Sequence, residues 1–423
     1  MAVFSSLSSF VNRHKKKFLF TAIASVSIYY LINQYVIKRI RNFRDSLKQE
    51  LFVKEQIKRR FMQTQSDCYV TVLALIPILS QPIINYLPTE LITQALKLKK
   101  SNAKPNANNE ISDSLLTTDN LIIHQHSNDS KDLSYYMNLS KTDLWSLLKI
   151  KTLTRTLTLV YSVSSLLLLT RLQLNTVARR SYIQSVILLA GGQVENTENS
   201  QDYYIEQAYL SLSWWLLNKG WQNISDVVES HVISKFESIN ARTELTLPKF
   251  DEILTEVMEQ IKASKRTLIL DSIFPCTFET ITESLLNTNP ELINDLDNEE
   301  SLLVKLNEET IQTIHSELFS DLFFDTVMLT KTTLMQNLSQ TLDPKALETD
   351  NGLPVSIQSA QLPRSFKLAN ILAQLSVQCG ILCDSSNLSE DGYDELSGNV
   401  YVNSINESEQ LEEFSASIYS NFD

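Results

Sequence analysis

Three observations predict an all-α fold with one membrane-crossing helix near the N-terminus. Only 7 glycines occur in 423 residues, which leaves little material for hairpin turns, phosphate loops or a many-stranded sheet. Apolar residues recur at helical spacing through most of the chain. Residues 18–37 (FLFTAIASVSIYYLINQYVI) carry no charge, and twenty residues is about the length a helix needs to cross a hydrocarbon core.

The order of the elements follows from the N-terminus. Residues 1–17 form a basic segment that contains Arg13, Lys15, Lys16 and Lys17. Residues 18–37 are read as the anchor, with a buried or amphipathic helix as the alternative. KRIR (38–41) flanks the anchor on its far side, so the positive-inside rule does not decide the topology by itself. The longer basic run lies C-terminal, which favours a domain from residue 40 to 423 in the cytosol. Residues 40–66 read as a charged helix with Phe43, Leu47, Leu51 and Val53 near helical spacing.

Two more apolar runs compete as membrane spans. Residues 68–89 are uncharged but contain Pro77, Pro82 and Pro88, each of which removes a backbone donor and disfavours helix. Residues 156–170 form a fifteen-residue uncharged run between Arg155 and Arg171, short for a span. Both are read as core.

Residues 101–134 are rich in Asn, Ser and His. Such a composition buries too little apolar surface to offset ordering entropy and predicts a mobile loop. Ser140-Lys-Thr-Asp143 fits a capping box and opens a long helix marked by Leu153, Leu157, Val160, Leu167 and Leu168, with Gly191-Gly192 as its stop. Residues 204–221 predict an aromatic helix ending at Gly220, and further helices fall near 249–264, 301–338 and 364–383. The tail from Asp384 holds ten acids and no Lys or Arg. Residues 384–410 are expected to be loose, and 411–422 to dock as a short helix.

Charge is unevenly distributed. Residues 1–60 hold 13 Lys and Arg against three acids, and the remaining residues hold 24 against 46. A basic end on an acidic body suits a membrane-facing segment attached to a soluble domain. It argues against nucleic acid as a partner of the body, because phosphate neutralisation needs basic surface there.

The sequence contains no constellation that points to an enzyme. Glycine-rich nucleotide loops, HExxH and GxSxG are all absent. The chain is read as non-enzymatic, with no cofactor and no metal. His124 and His126 fall in the polar stretch and read as solvated. Cys379 and Cys383 are four apart, unlike a CxxC zinc knuckle, and four cysteines in a long chain suit a reducing compartment. Trp145 stands in the first turn of the helix opened by Ser140, with Leu148 one turn on. Periodicity leaves it open between core filler and an exposed anchor for a partner helix.

Several strings together resemble the fungal form of peroxisomal biogenesis factor 3. They are RHKKKF (13–18), FVKEQIKRRFMQTQSD (52–67), VYSVSSLLLLTRLQLN (160–175), QAYLSLSWWLLNKGW (207–221) and SASIYSNF (415–422). The resemblance implies a single-pass peroxisomal membrane protein whose cytosolic domain is a helical bundle around one long central helix. It implies docking of the N-terminal amphipathic helix of peroxisomal biogenesis factor 19, the soluble receptor for new membrane proteins. Leu96, Trp145, Leu148, Leu166 and Asn175 would form the groove, and Arg13, Lys15, Lys16 and Lys17 with the anchor would form the targeting signal. A tether that recruits inheritance or autophagy adaptors is the alternative role.

Overall fold

The computed structural model describes residues 38–101, 129–189, 198–298, 300–343, 364–385 and 398–421. The anchor at 18–37, the basic Arg13, Lys15, Lys16 and Lys17, most of the stretch 101–134, and Gly191-Gly192 lie outside the described residues.

The chain divides into two compact units, Met1–Gln63 and Thr64–Asp423. Helix α1 (Lys38–Tyr86) supplies the described part of the first unit. There Phe52, Val53 and Met62 are exposed, and Arg59 pairs with Glu55 one turn away at 2.9 Å.

Among the described residues, the regular structure of the second unit is helical except for one small ribbon. After α1 come α2 (Thr89–Ser101), α3 (Asp129–Asn138), α4 (Lys141–Leu189) and α5 (Glu198–Ser211). A π-helical turn at Leu216–Gly220 leads into α6 (Trp221–Phe236). β1 (Glu244–Thr246) precedes α7 (Leu247–Ile273), α8 (Phe278–Thr288), α9 (Leu302–Ile314) and α10 (Glu317–Leu342). β2 (Ser365–Lys367) then precedes α11 (Leu368–Leu382), α12 (Val400–Asn406) and α13 (Glu409–Ser420). β1 and β2 are antiparallel, with Glu244 opposite Lys367 and Thr246 opposite Ser365.

Helix α4 is the centre of the bundle. It packs against α2, α6, α10, α11 and α13, so it is buried on all sides rather than along one stripe. Four of its buried Ser and Thr hydroxyls bond back to their own helix, while those of Thr152, Thr154, Thr158 and Ser162 are buried without a partner. Thr156, Ser165, Thr170 and Thr176 each donate to the carbonyl four residues earlier, at 2.7–2.9 Å. Charged side chains tie α4 to its neighbours: Lys151 to Glu229 at 2.7 Å, Arg179 to Glu309 at 2.6 Å, and Arg180 to Asp202 at 2.5 Å.

Among the described residues, two helices, Phe52–Tyr86 and Lys141–Ile187, are long and apolar enough to cross a membrane. The apolar window of the second is almost wholly covered by protein, as the core reading of 156–170 requires. The first buries one face, through Cys68, Val72, Leu73, Ile76, Leu79 and Ile83, and leaves Val70 and Ile78 exposed.

Four local expectations change. α1 runs unbroken through Pro77 and Pro82, because packing of that buried face outweighs two lost backbone donors. Gly220 does not end a helix; it sits at φ −58° and ψ −39° and passes the chain straight into α6. The 301–338 segment is two helices, because the Ser316 hydroxyl caps α10 by accepting from the Phe319 amide at 3.2 Å. At the edges of the polar stretches, residues 129–134 belong to α3, and α12 buries Tyr401, Val402 and Ile405. Those three apolar side chains give 400–406 the burial that orders it within the acidic tail.

A candidate docking surface at the start of the long helix

Ser140 fixes where α4 begins. Its Oγ accepts from the Asp143 amide at 3.1 Å and donates to the Asp143 carboxylate at 2.7 Å. The carboxylate in the first turn also suits the positive end of the helix dipole. The chain therefore enters α4 at a set angle, with Leu144 and Leu148 directed inward and Trp145 left half-buried.

A separate apolar cluster closes this end of the bundle. It joins Ile92, Ala95 and Leu96 of α2, Leu144 and Leu148 of α4, and Ala369 and Ala373 of α11. Around it Leu133, Tyr136, Met137, Leu139, Trp145 and Leu147 stay partly open. Tyr135 and Leu98 nearby are exposed. Partly uncovered apolar residues gathered at one end are the kind of surface that partners cover.

On its other side Trp145 borders a cleft of about 520 Å³. The opposite wall is the 237–242 turn, with Ile239, Ala241 and Arg242. Two backbone bonds hold that turn to the start of α11: Leu368 N to Thr243 O at 2.9 Å and Ala369 N to Ala241 O at 3.1 Å. The β1–β2 ribbon continues the same tie.

Lys149 sets the floor of the cleft. It is 3% exposed, and its ammonium donates to the carbonyls of Phe236 (2.6 Å), Glu237 (3.2 Å) and Ile239 (2.6 Å). These carbonyls lie at and just past the negative end of α6, a natural seat for a cation; that of Phe236 also accepts from the Ile239 amide at 3.1 Å. Burial pushes the Lys149 ammonium below its ordinary range, and the nearby Glu237 carboxylate offsets part of that. With Lys141 and Arg242 beside the Glu237 carboxylate in its lining, the cleft combines an aromatic wall with a mainly basic edge.

The five residues expected in a groove do not all meet. Leu96, Trp145 and Leu148 share the end cluster. Leu166 is fully buried in the main core, about 27 Å along α4 from Leu148 at ~1.5 Å per residue. Asn175 is also fully buried; it accepts from Gln65 Nε2 at 2.7 Å and donates to Arg171 O at 2.7 Å. The sequence reading did not single out Lys149, Ile239, Ala241 and Arg242. Lys149 carried a signal, since a lone cation within the apolar run LLKI needs a buried partner. The 237–242 turn carried none.

A family model described as Peroxin-3 matches residues 9–421. The chain belongs to the peroxin-3 family. It is 60% identical to peroxisomal biogenesis factor 3 of Debaryomyces hansenii over the full length of both chains. It is 27% identical to peroxisomal biogenesis factor 3 of Saccharomyces cerevisiae, covering 98% of this chain and 96% of that one. A protein of Komagataella phaffii named peroxisomal membrane protein PEX3 is 38% identical over 62% of this chain and 61% of its own. Within this peroxin-3 chain, four of the strings that carried the resemblance fall in α1, α4, the α5–α6 segment and α13; RHKKKF (13–18) lies outside the described residues. The match to the S. cerevisiae relative also spans residues 265–410, where none of those strings falls.

Proposed function

We propose that this peroxin-3 chain is a non-enzymatic docking protein of the peroxisomal membrane. It spans the bilayer once at 18–37, is targeted there with the help of Arg13, Lys15, Lys16 and Lys17, and keeps residues 40–423 in the cytosol. Its partner is the N-terminal amphipathic helix of peroxisomal biogenesis factor 19. The observation that carries this reading is the half-buried Trp145 between a partly open apolar cluster and a cleft.

Recognition is of the helix-in-groove kind. The apolar face of the partner helix covers Trp145 and the open residues of α3. Leu96 and Leu148 back that surface from inside, and the basic rim at Lys141 and Arg242 receives acidic residues of the partner. Leu166 and Asn175 serve docking from a distance, by holding α4 straight and in register.

Titration of the full chain in detergent with a peptide of the partner's N-terminal helix tests this. Trp145→Ala is expected to weaken binding by about 2 kcal/mol or more with the unfolding transition retained. Unchanged affinity in the folded variant would overturn the reading.

A further inference from the structure

We propose that Asp271, Cys276 and His315 form a binding site for one divalent transition-metal ion of the zinc class. The site lies far along the chain from the Trp145 surface, and nothing in the docking reading uses it.

Three separate parts of the fold converge there. Asp271 is in the last turn of α7, Cys276 is in the link from α7 to α8, and His315 caps the C-terminus of α9. One oxygen, one sulfur and one nitrogen from these side chains all lie within 4.8 Å of one another. His315 Nε2 stands 3.3 Å from the Asp271 carboxylate. Cys276 Sγ stands 3.2 Å from the Phe274 carbonyl. The backbone of His315 is fixed by its amide, which donates to Ile311 O at 3.0 Å.

The donor set selects the metal. Thiolate and imidazole favour zinc, cobalt, nickel or copper over magnesium or calcium, which take oxygen ligands. Metal–ligand bonds of about 2.0–2.3 Å place tetrahedral ligand atoms roughly 3.3–3.8 Å apart. The Asp271–His315 separation of 3.3 Å is already in that range, and the exposed Asp271 and His315 have room to rotate toward the half-buried Cys276.

Three protein ligands leave one position for water. Asp271 and Cys276 also border a cleft of about 590 Å³, which gives that water room. On binding, the Cys276 thiol gives its proton to solvent and the sulfur takes the metal; no electron moves. The ion would then pin the α7–α8 link to the α9–α10 junction.

The competing picture is a plain His315–Asp271 surface pair beside an idle thiol, and the cysteine separates the two. The experiment is titration of the untagged full chain in detergent with Co²⁺, read by absorption, and with Zn²⁺, read by thermal unfolding. The proposal expects one equivalent of Co²⁺ with a thiolate charge-transfer band and tetrahedral ligand-field bands, and a raised unfolding temperature with Zn²⁺. Cys276→Ser should lose the charge-transfer band, and His315→Ala should weaken binding roughly tenfold or more. Absence of binding, or a charge-transfer band that survives in Cys276→Ser, overturns it.

Discussion

Nη1 of Arg155 donates to both carboxylate oxygens of Glu90, at 2.7 and 2.8 Å. The two ends of this pair sit in unequal surroundings: the Arg155 side chain is 2% exposed and that of Glu90 24%. Glu90 lies in the first turn of α2, the helix that carries Leu96. The pair therefore fixes α2 against α4 directly behind the proposed docking surface.

The inequality makes the two single substitutions differ. Glu90→Ala leaves a guanidinium stranded in the core, which costs about 3–5 kcal/mol. Arg155→Met leaves a carboxylate that water still reaches, and should cost less. The double variant should recover part of the loss, since a buried charge pair replaced by apolar groups is often near neutral. Urea unfolding of the three variants gives the order; equal costs for the two singles would show that the burial asymmetry has no energetic weight.

Lys149 ties the start of α4 to the end of α6 through three carbonyls. Lys149→Met keeps the stem and removes every donor, so three carbonyls are left near apolar surface. A loss of about 2–3 kcal/mol is expected, and the 237–242 turn beside Trp145 should loosen. Amide exchange at 237–243 checks the second effect: faster exchange there, with the α4 core unchanged, is the predicted pattern.

The contrast between these two ties shows what a sequence makes legible. The start of α4 was readable because a cap and an apolar period are local chemistry: Ser140, Asp143 and the leucines state it within one stretch. Trp145 was suggestive for the same reason, as an aromatic residue at the edge of an element. The wall opposite it was not readable. Residues 237–242 are placed by backbone bonds to Leu368 and Ala369, more than a hundred residues away, and no pattern in either segment announces that pairing. The unbroken passage of α1 through Pro77 and Pro82 was hidden likewise, because local propensity argues against it and only the buried face explains it. Leu166 and Asn175 looked equivalent to Trp145 as members of one set, and burial alone separates them.

Gly220 marks where α6 starts next to the end of α7. A Cβ placed on it would overlap the Ser272 carbonyl oxygen, a backbone atom that cannot swing aside. Its backbone is ordinary right-handed helix, so the need for glycine is close approach and not dihedral freedom. Gly220→Ala should therefore destabilise by about 1–3 kcal/mol, although alanine is the better helix former by ~1 kcal/mol. A thermal melt decides the sign, and a stabilised variant would mean that the two helices can part at no cost.

Cys383 gives stability a dependence on alkaline pH. Burial, with Cys379 adjacent, pushes its thiol up from 9.0 to about 12. Below the lower value the thiol is protonated in folded and unfolded chains alike, and the stability it contributes is complete. Between the two values the unfolded chain releases a proton that the folded chain keeps, so stability falls as pH rises, by about 1.4 kcal/mol per pH unit for one thiol at most. Cys383→Ser removes this term and leaves Cys276 and Cys379, whose thiols are raised in the same direction, to cancel between the two proteins. The gap in stability between wild type and variant should then be flat up to about pH 9 and shrink above it. Urea unfolding measured at intervals across that range reads the gap directly. A gap that stays constant would mean that the folded protein ionises this thiol as readily as the unfolded chain does, and that α11 is open to water at its C-terminal end.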